Sequence, residues 1–117
     1  MRDVRFEVLG PVRAWLGDAE LDIGPPTQVS LLSLLLVHAG RPVAMSDIVD
    51  ALWGDEPPRT AVNIVHRAVG ALRRLTDPDL PARATGELVL PSSGGYRLDV
   101  DAGMLDLLRF RELRDRA

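Results

Sequence analysis

Apolar residues alternate with polar ones through the first part of the chain. VRFEVLG, PVRAWLG and ELDIG each place apolar side chains at every second position, and the breaks fall at Gly10-Pro11 and Gly17-Asp18. That period predicts three short antiparallel strands, near 4–9, 12–16 and 20–23, joined by tight turns. Pro25-Pro26 ends the sheet, and Thr27 stands where it can cap a helix running through SLLSLLLVHA to a stop at Gly40. That helix is apolar on most of its faces, so it should be central to the fold.

RPVAM predicts a short extended segment. Ser46 and Asp47 then open a helix over SDIVDALWG, which Gly54 closes. The acidic, proline-bearing loop DEPPR leads into RTAVNIVHRAVGALRRL, residues 59–75, whose apolar positions recur at helical spacing. Two helices linked so tightly form a helix-turn-helix with an enlarged turn. TDPDLPARATG reads as a loop, and ELVLP and YRLDV around SSGG read as a β-hairpin. The last stretch, MLDLLRFRELRDRA, has helical periodicity at Leu105, Leu108 and Leu113.

Composition narrows the class. With 117 residues, 46% of them hydrophobic and 26% charged, the chain suits one ordered domain. It has no cysteine, so neither disulfides nor thiolate metal sites hold it together. MRDVRFEVLG lacks the apolar run of a signal peptide, and LLSLLLVHA is far shorter than the roughly 20 residues of a membrane span, which places the protein in the cytoplasm.

Charge singles out one segment. The formal net charge is -3, yet residues 59–75 hold four arginines and a histidine and no acid. At 100° per residue, Ala61, Val62, Val65, Ala68, Val69, Leu72 and Leu75 form the core-facing side. Asn63, Arg67, Gly70 and Arg74 form the opposite stripe, flanked by Arg59, His66 and Arg73. Ordinary solvated faces mix signs through i,i+4 Glu and Arg pairs, which are absent here, so this face suits a polyanion better than bulk water. Arginine can bridge guanine or hold phosphate, and asparagine can bridge adenine.

The order of these elements, with FEVLGPV, a leucine-rich helix, DALWGDEPP, TAVNIV…V…LRRL and GGYRLDVD followed by LDLLRF, resembles the DNA-binding domain of the actinobacterial antibiotic regulatory proteins, the SARP family. The resemblance covers residues 4 to 110. It implies an α+β fold, an OmpR/PhoB-type winged helix-turn-helix with an N-terminal antiparallel sheet, three helices and a C-terminal hairpin as the wing. It also implies transcription regulation: binding as a side-by-side homodimer to direct repeats in double-stranded promoter DNA, contact with RNA polymerase, and activation of a biosynthetic gene cluster. Residues 1–102 would form this domain, and 103–117 would begin a following helical bacterial transcriptional activation domain.

Carried onto this sequence, the resemblance makes 59–75 the recognition helix and 88–99 the wing. Asn63, Arg73 and Arg74 match the family pattern, and His66 stands where a polar residue is usual. The DNA-facing set is Arg59, Asn63, His66, Arg67, Gly70, Arg73, Arg74, Ser92, Ser93 and Arg97, with base edges assigned to Asn63, His66, Arg67 and Gly70 and phosphates to Arg59, Arg73, Arg74 and Arg97. The loop Trp53, Gly54, Asp55, Glu56, Pro57 and Pro58 falls where that fold touches polymerase. Four basic positions of the family are empty here: Thr27 and Val29 in PTQVSLL, Ala71 beside Gly70 in GALRR, and Ser92 in the wing. Neutralising about four phosphates rather than eight lowers the salt slope of binding from about -7 to about -4.

Other conspicuous residues have plainer readings. His38 and His66 lack the spacing of metal ligands, and His38 suits the last turn of the first helix. Trp15 and Trp53 read as anchors at the core or its edge. Asp47, Asp50, Asp55 and Glu56 have no nucleophile, base or phosphate loop beside them, so the chain reads as no enzyme and calls for no cofactor. The competing class is a winged-helix protein-interaction module whose DNA affinity is weak or lost, consistent with the acidic balance and the four empty basic positions.

Overall fold

The computed structural model describes residues 3–81 and 83–116. Three short strands open the chain: β1 (Val4–Glu7), β2 (Arg13–Leu16) and β3 (Ala19–Glu20), an antiparallel sheet in that order. They are shorter than the alternating pattern predicts, because only the segments in register can pair: Val4 with Leu16, Glu7 with Arg13, and Trp15 with Glu20. Val4, Phe6 and Ala14 face inward and are buried. Trp15, read as an anchor at the core or its edge, is half-buried and lies outside the core cluster and the residues packed against it. It alternates to the outer face of the sheet, where the guanidiniums of Arg5 and Arg13 lie 4.6 and 5.0 Å from its ring centre.

Helix α1 (Pro26–Val37) buries Leu31, Leu32, Leu35 and Leu36 and is the central element that its all-round apolar sequence predicts. It starts differently, however. Pro25 is the N-cap, no side chain caps the helix, and Thr27 lies inside the first turn. A proline at the first helical position has no N–H to satisfy and its φ is already helical, so the helix begins ahead of the hydroxyl. Gln28 reaches back to donate to the Ile23 carbonyl at 2.8 Å. At the other end His38 is the C-cap, with Nδ1 2.9 Å from the Leu34 carbonyl.

The second sheet joins distant parts of the chain in the order β4 (Val43–Ala44), β6 (Gly95–Leu98), β5 (Val89–Ser92). β5 and β6 form the predicted hairpin. Ser93 and Gly94, with φ of 50° and 75°, make a two-residue turn with both central residues left-handed, as a type I′ turn requires. Gly95 is needed where β6 crosses β4. A Cβ there would lie inside the radius of the Val43 carbonyl oxygen and 2.8 Å from the Ala44 Cα.

Helix α2 (Met45–Trp53) begins one residue ahead of Ser46, with no side-chain cap. Its Met45 N–H donates to the Gly94 carbonyl at 3.3 Å, so the hairpin turn does what a serine cap would have done. Gly54, with φ of 65°, ends it as predicted. Helix α3 (Ala61–Thr76) buries Ala61, Val65, Ala68, Val69 and Leu72 against α1 and α2. Val62, predicted on the buried side, is 46% exposed. Val69, two turns on at nearly the same azimuth, is buried.

Helix α4 (Asp106–Arg116) has no buried residue, yet the segment leading into it is anchored. Leu105 is in the core, the Phe6 N–H donates to the Met104 carbonyl at 2.6 Å, and Asp106 accepts from the Val8 and Leu9 amides at 2.9 and 3.2 Å. The otherwise open edge of β1 is thereby covered. Phe110 and Leu113 stay more than half exposed.

Candidate nucleic-acid interface

The predicted polar stripe survives folding. Asn63, His66, Arg67 and Arg74 are exposed on α3, and Gly70, half-buried, interrupts them with bare backbone. From Ala61 to Thr76 the helix carries no carboxylate. A Cβ on Gly70 would lie 3.6 Å from Arg74 Nη2, so the Arg74 guanidinium lies back over Gly70 along the stripe. That direction is the ordinary one, since long helical side chains lean toward the N-terminus.

Arg73 is held elsewhere. Its Nε and Nη2 both donate to the Val89 carbonyl, at 3.1 and 2.9 Å, and its guanidinium carbon lies 5.8 Å from the centre of the Tyr96 ring. β5 is the edge strand of its sheet, and alternate carbonyls of an antiparallel edge strand point away from the ladder. The bidentate guanidinium satisfies one of them and fastens the hairpin to α3. Tyr96 is met a second time by His66, edge to face at 6.3 Å between ring centres, two helical turns before Arg73. Helix and hairpin are thus pinned through one tyrosine ring.

The remaining candidates divide by position. Ser92 and Ser93 lie at the hairpin tip, and with Met45, His66 and Tyr96 they line a shallow groove between the helices and the hairpin. Arg97 is half-buried on β6, alternating to the sheet face opposite Tyr96 and Leu98, with Nη1 3.8 Å from an Asp99 carboxylate oxygen. Arg59 precedes the helix and is exposed on the connection before it. In the 53–58 loop Trp53 packs against the core, while Gly54, Asp55, Glu56, Pro57 and Pro58 are exposed. The Pro58 carbonyl accepts from the Ala61 N–H at 3.0 Å, which fixes where the loop hands over to α3.

Of the positions that the resemblance leaves without a base, Val29 packs against the core and Thr27, Ala71 and Ser92 are half-buried. Two residues gain importance that sequence reasoning did not give them. Tyr96 is the hairpin's hold on α3. Arg83, in the segment read only as a loop, joins Arg67 and Arg74 in a second groove. Nothing in the linear pattern brings residue 83 beside α3. Among the described residues no group of three or more His, Asp or Glu could hold a metal ion, and no helix is long and apolar enough to cross a membrane.

Comparison with known proteins fits this arrangement. Residues 20–98 match the family described as "Transcriptional regulatory protein, C terminal". The chain is 39% identical over 115 residues to the regulatory protein AfsR of Streptomyces coelicolor, across 97% of this chain and 11% of AfsR. It is 36% identical over 109 residues to the transcriptional regulatory protein MoaR1 of Mycobacterium tuberculosis, across 92% of this chain and 34% of MoaR1. A solved structure of M. tuberculosis EmbR in complex with a low-affinity phosphopeptide superposes with a TM-score of 0.83 at 28% identity, covering 94% of this chain and 28% of EmbR. The chain thus spans about a tenth of the length of AfsR and about a third of MoaR1. With its helix-turn-helix, hairpin wing and match over residues 20–98, the chain belongs to the OmpR/PhoB-type family of transcriptional regulatory domains, and it is similar to the SARP regulators.

Proposed function

We propose that the chain binds promoter DNA in a sequence-specific way, with α3 in the major groove and the β5–β6 wing on the adjacent backbone or minor groove. The observation that carries this reading is the exposed, carboxylate-free stripe of Asn63, His66, Arg67, Gly70 and Arg74. The major groove, about 12 Å wide, admits one helix. Asn63, His66, Arg67 and Gly70 face base edges. Arg74 and Arg59 hold phosphates, joined by Arg97 and by Ser92 and Ser93 at the wing tip. Arg73 contributes indirectly, by setting the distance between helix and wing.

The same reading makes the exposed loop 54–58 the surface offered to RNA polymerase, with Trp53 anchoring it. Two copies bind side by side on direct repeats, and the regulator activates a biosynthetic gene cluster from the cytoplasm. Residues 103–117 lead into a following helical domain, and the exposed Phe110 and Leu113 support that role because they are apolar positions free to be covered.

The test is a pair of substitutions measured against duplexes from the promoters nearest the gene. Arg67→Ala should change sequence preference. Arg74→Ala should weaken all duplexes alike and lower the salt slope by about one unit. A tight specific complex untouched by both changes would refute this docking, and no duplex binding at physiological salt would favour the protein-interaction module instead.

A further inference from the structure

The exposed stripe of α3 continues sideways into a groove that the sequence does not announce. One wall is α3 from its middle onward, with Arg67, Gly70 and Arg74. The other is the connection after it, with Leu80, Pro81 and Arg83. Gly70 forms a floor without a side chain, over which the Arg74 guanidinium lies. No carboxylate lines the groove, and among the described residues Arg67, Arg74 and Arg83 have no ion-pair partner. Arg73 also borders it, but two of its nitrogens donate to Val89. Three guanidiniums brought together without a counter-charge repel one another, and an anion in the groove removes that repulsion.

The backbone at Arg83 adds an independent observation. Its φ is 67°, in the left-handed region that a non-glycine residue rarely adopts. The Ala84 N–H donates to the Pro81 carbonyl at 3.1 Å and closes the turn that holds it there. The turn carries the arginine to the groove beside α3. A guanidinium offers a planar fork that matches two oxygens of a phosphate.

We propose that Arg83, with Arg74 and beside the base-reading Arg67, forms a seat for a backbone phosphate of the duplex, so that the connection after α3 is a third DNA-contacting element beside helix and wing. The assignment to duplex phosphate rests on the DNA-binding reading above, because the groove opens directly onto the stripe that faces the major groove. Arg83 thereby restores one of the cations that Thr27, Val29, Ala71 and Ser92 do not supply.

The experiment uses the 117-residue chain and a mixed-sequence duplex, with binding followed across a series of salt concentrations. Arg83→Gly is the informative variant, since glycine accepts the left-handed φ and the fold is not at risk. It should lower the salt slope by about one unit relative to wild type, and Arg83→Lys should restore it. Arg114→Ala, on α4, should leave the slope unchanged. If Arg74→Ala lowers the slope and Arg83→Gly does not, the seat is wrong while DNA binding stands. If wild type and every variant bind no duplex, both readings fall. A free phosphate compound is the other source of the same chemistry. If inorganic phosphate at constant ionic strength shifts the Arg83 side-chain signals while the duplex slope ignores Arg83→Gly, the groove belongs to a small anion and the assignment to DNA is overturned.

Discussion

Arg73 and Arg74 are adjacent in the chain and have opposite occupations. One full step of 100° turns Arg73 toward the hairpin and leaves Arg74 on the open stripe. Removing Arg73 strands the Val89 carbonyl, which in Arg73→Ala should destabilise the fold by about 1–3 kcal/mol. Arg74→Ala, whose guanidinium has no protein acceptor among the described residues, should change stability by no more than about 0.5 kcal/mol. Urea unfolding of the two variants separates them, and equal stabilities would mean that the bond to Val89 contributes nothing. The sequence placed both arginines on the DNA-facing side because periodicity assigns azimuth to within a fraction of a turn. It cannot weigh a flank position's pull toward a strand carbonyl sixteen residues away. The same limit applies to Trp15. Alternation says that it shares a face with Arg13, but not that this face is the outer one.

At the level of elements, legibility follows length. α2 and α3 are readable because each repeats its period over two turns or more, α1 because its apolar run is too long for a strand, and the β5–β6 hairpin because SSGG supplies the left-handed turn. β4 has two residues and no period of its own, so its pairing with β6 is a tertiary event. The helix starts were misplaced for a related reason. Serine and threonine caps are local signals, whereas α1 starts on a proline and α2 takes its first acceptor from Gly94. This junction of β4, β6 and α2 makes neighbouring glycines unequal. Gly94→Ala meets open space and bears mainly the strain of a positive φ, about 1 kcal/mol. Gly95→Ala drives a methyl group into the β4 backbone. It should cost about 1–3 kcal/mol or more, and it should displace the wing from α3. Thermal melts of the two variants test the order, and a Gly95→Ala protein as stable as Gly94→Ala would mean that the strands separate at no cost.

Across the whole molecule, β1 meets the segment that leads into α4. Residues 104–106 lie against β1, Leu105 fills the core beside Phe6, and Asp106 holds the amides of Val8 and Leu9. The sequence pattern marked Leu105, Leu108 and Leu113 as one stripe. Folding divides it, with Leu105 buried, Leu108 packed at the edge of the core and Leu113 exposed, because β1 covers only the start of α4. The division predicts unequal effects at the entry to α4 and along it. Leu105→Ala should cost about 2–5 kcal/mol, as a large-to-small change in a core does, whereas Phe110→Ala should stay within about 0.5 kcal/mol in this chain. Urea unfolding of the 117-residue protein measures both. If Phe110→Ala proved as costly as Leu105→Ala, the second half of α4 would be packed rather than free, and Phe110 and Leu113 would no longer be available to a following domain. If only Leu105→Ala is costly, α4 is anchored at its start and leaves the fold with an apolar face open.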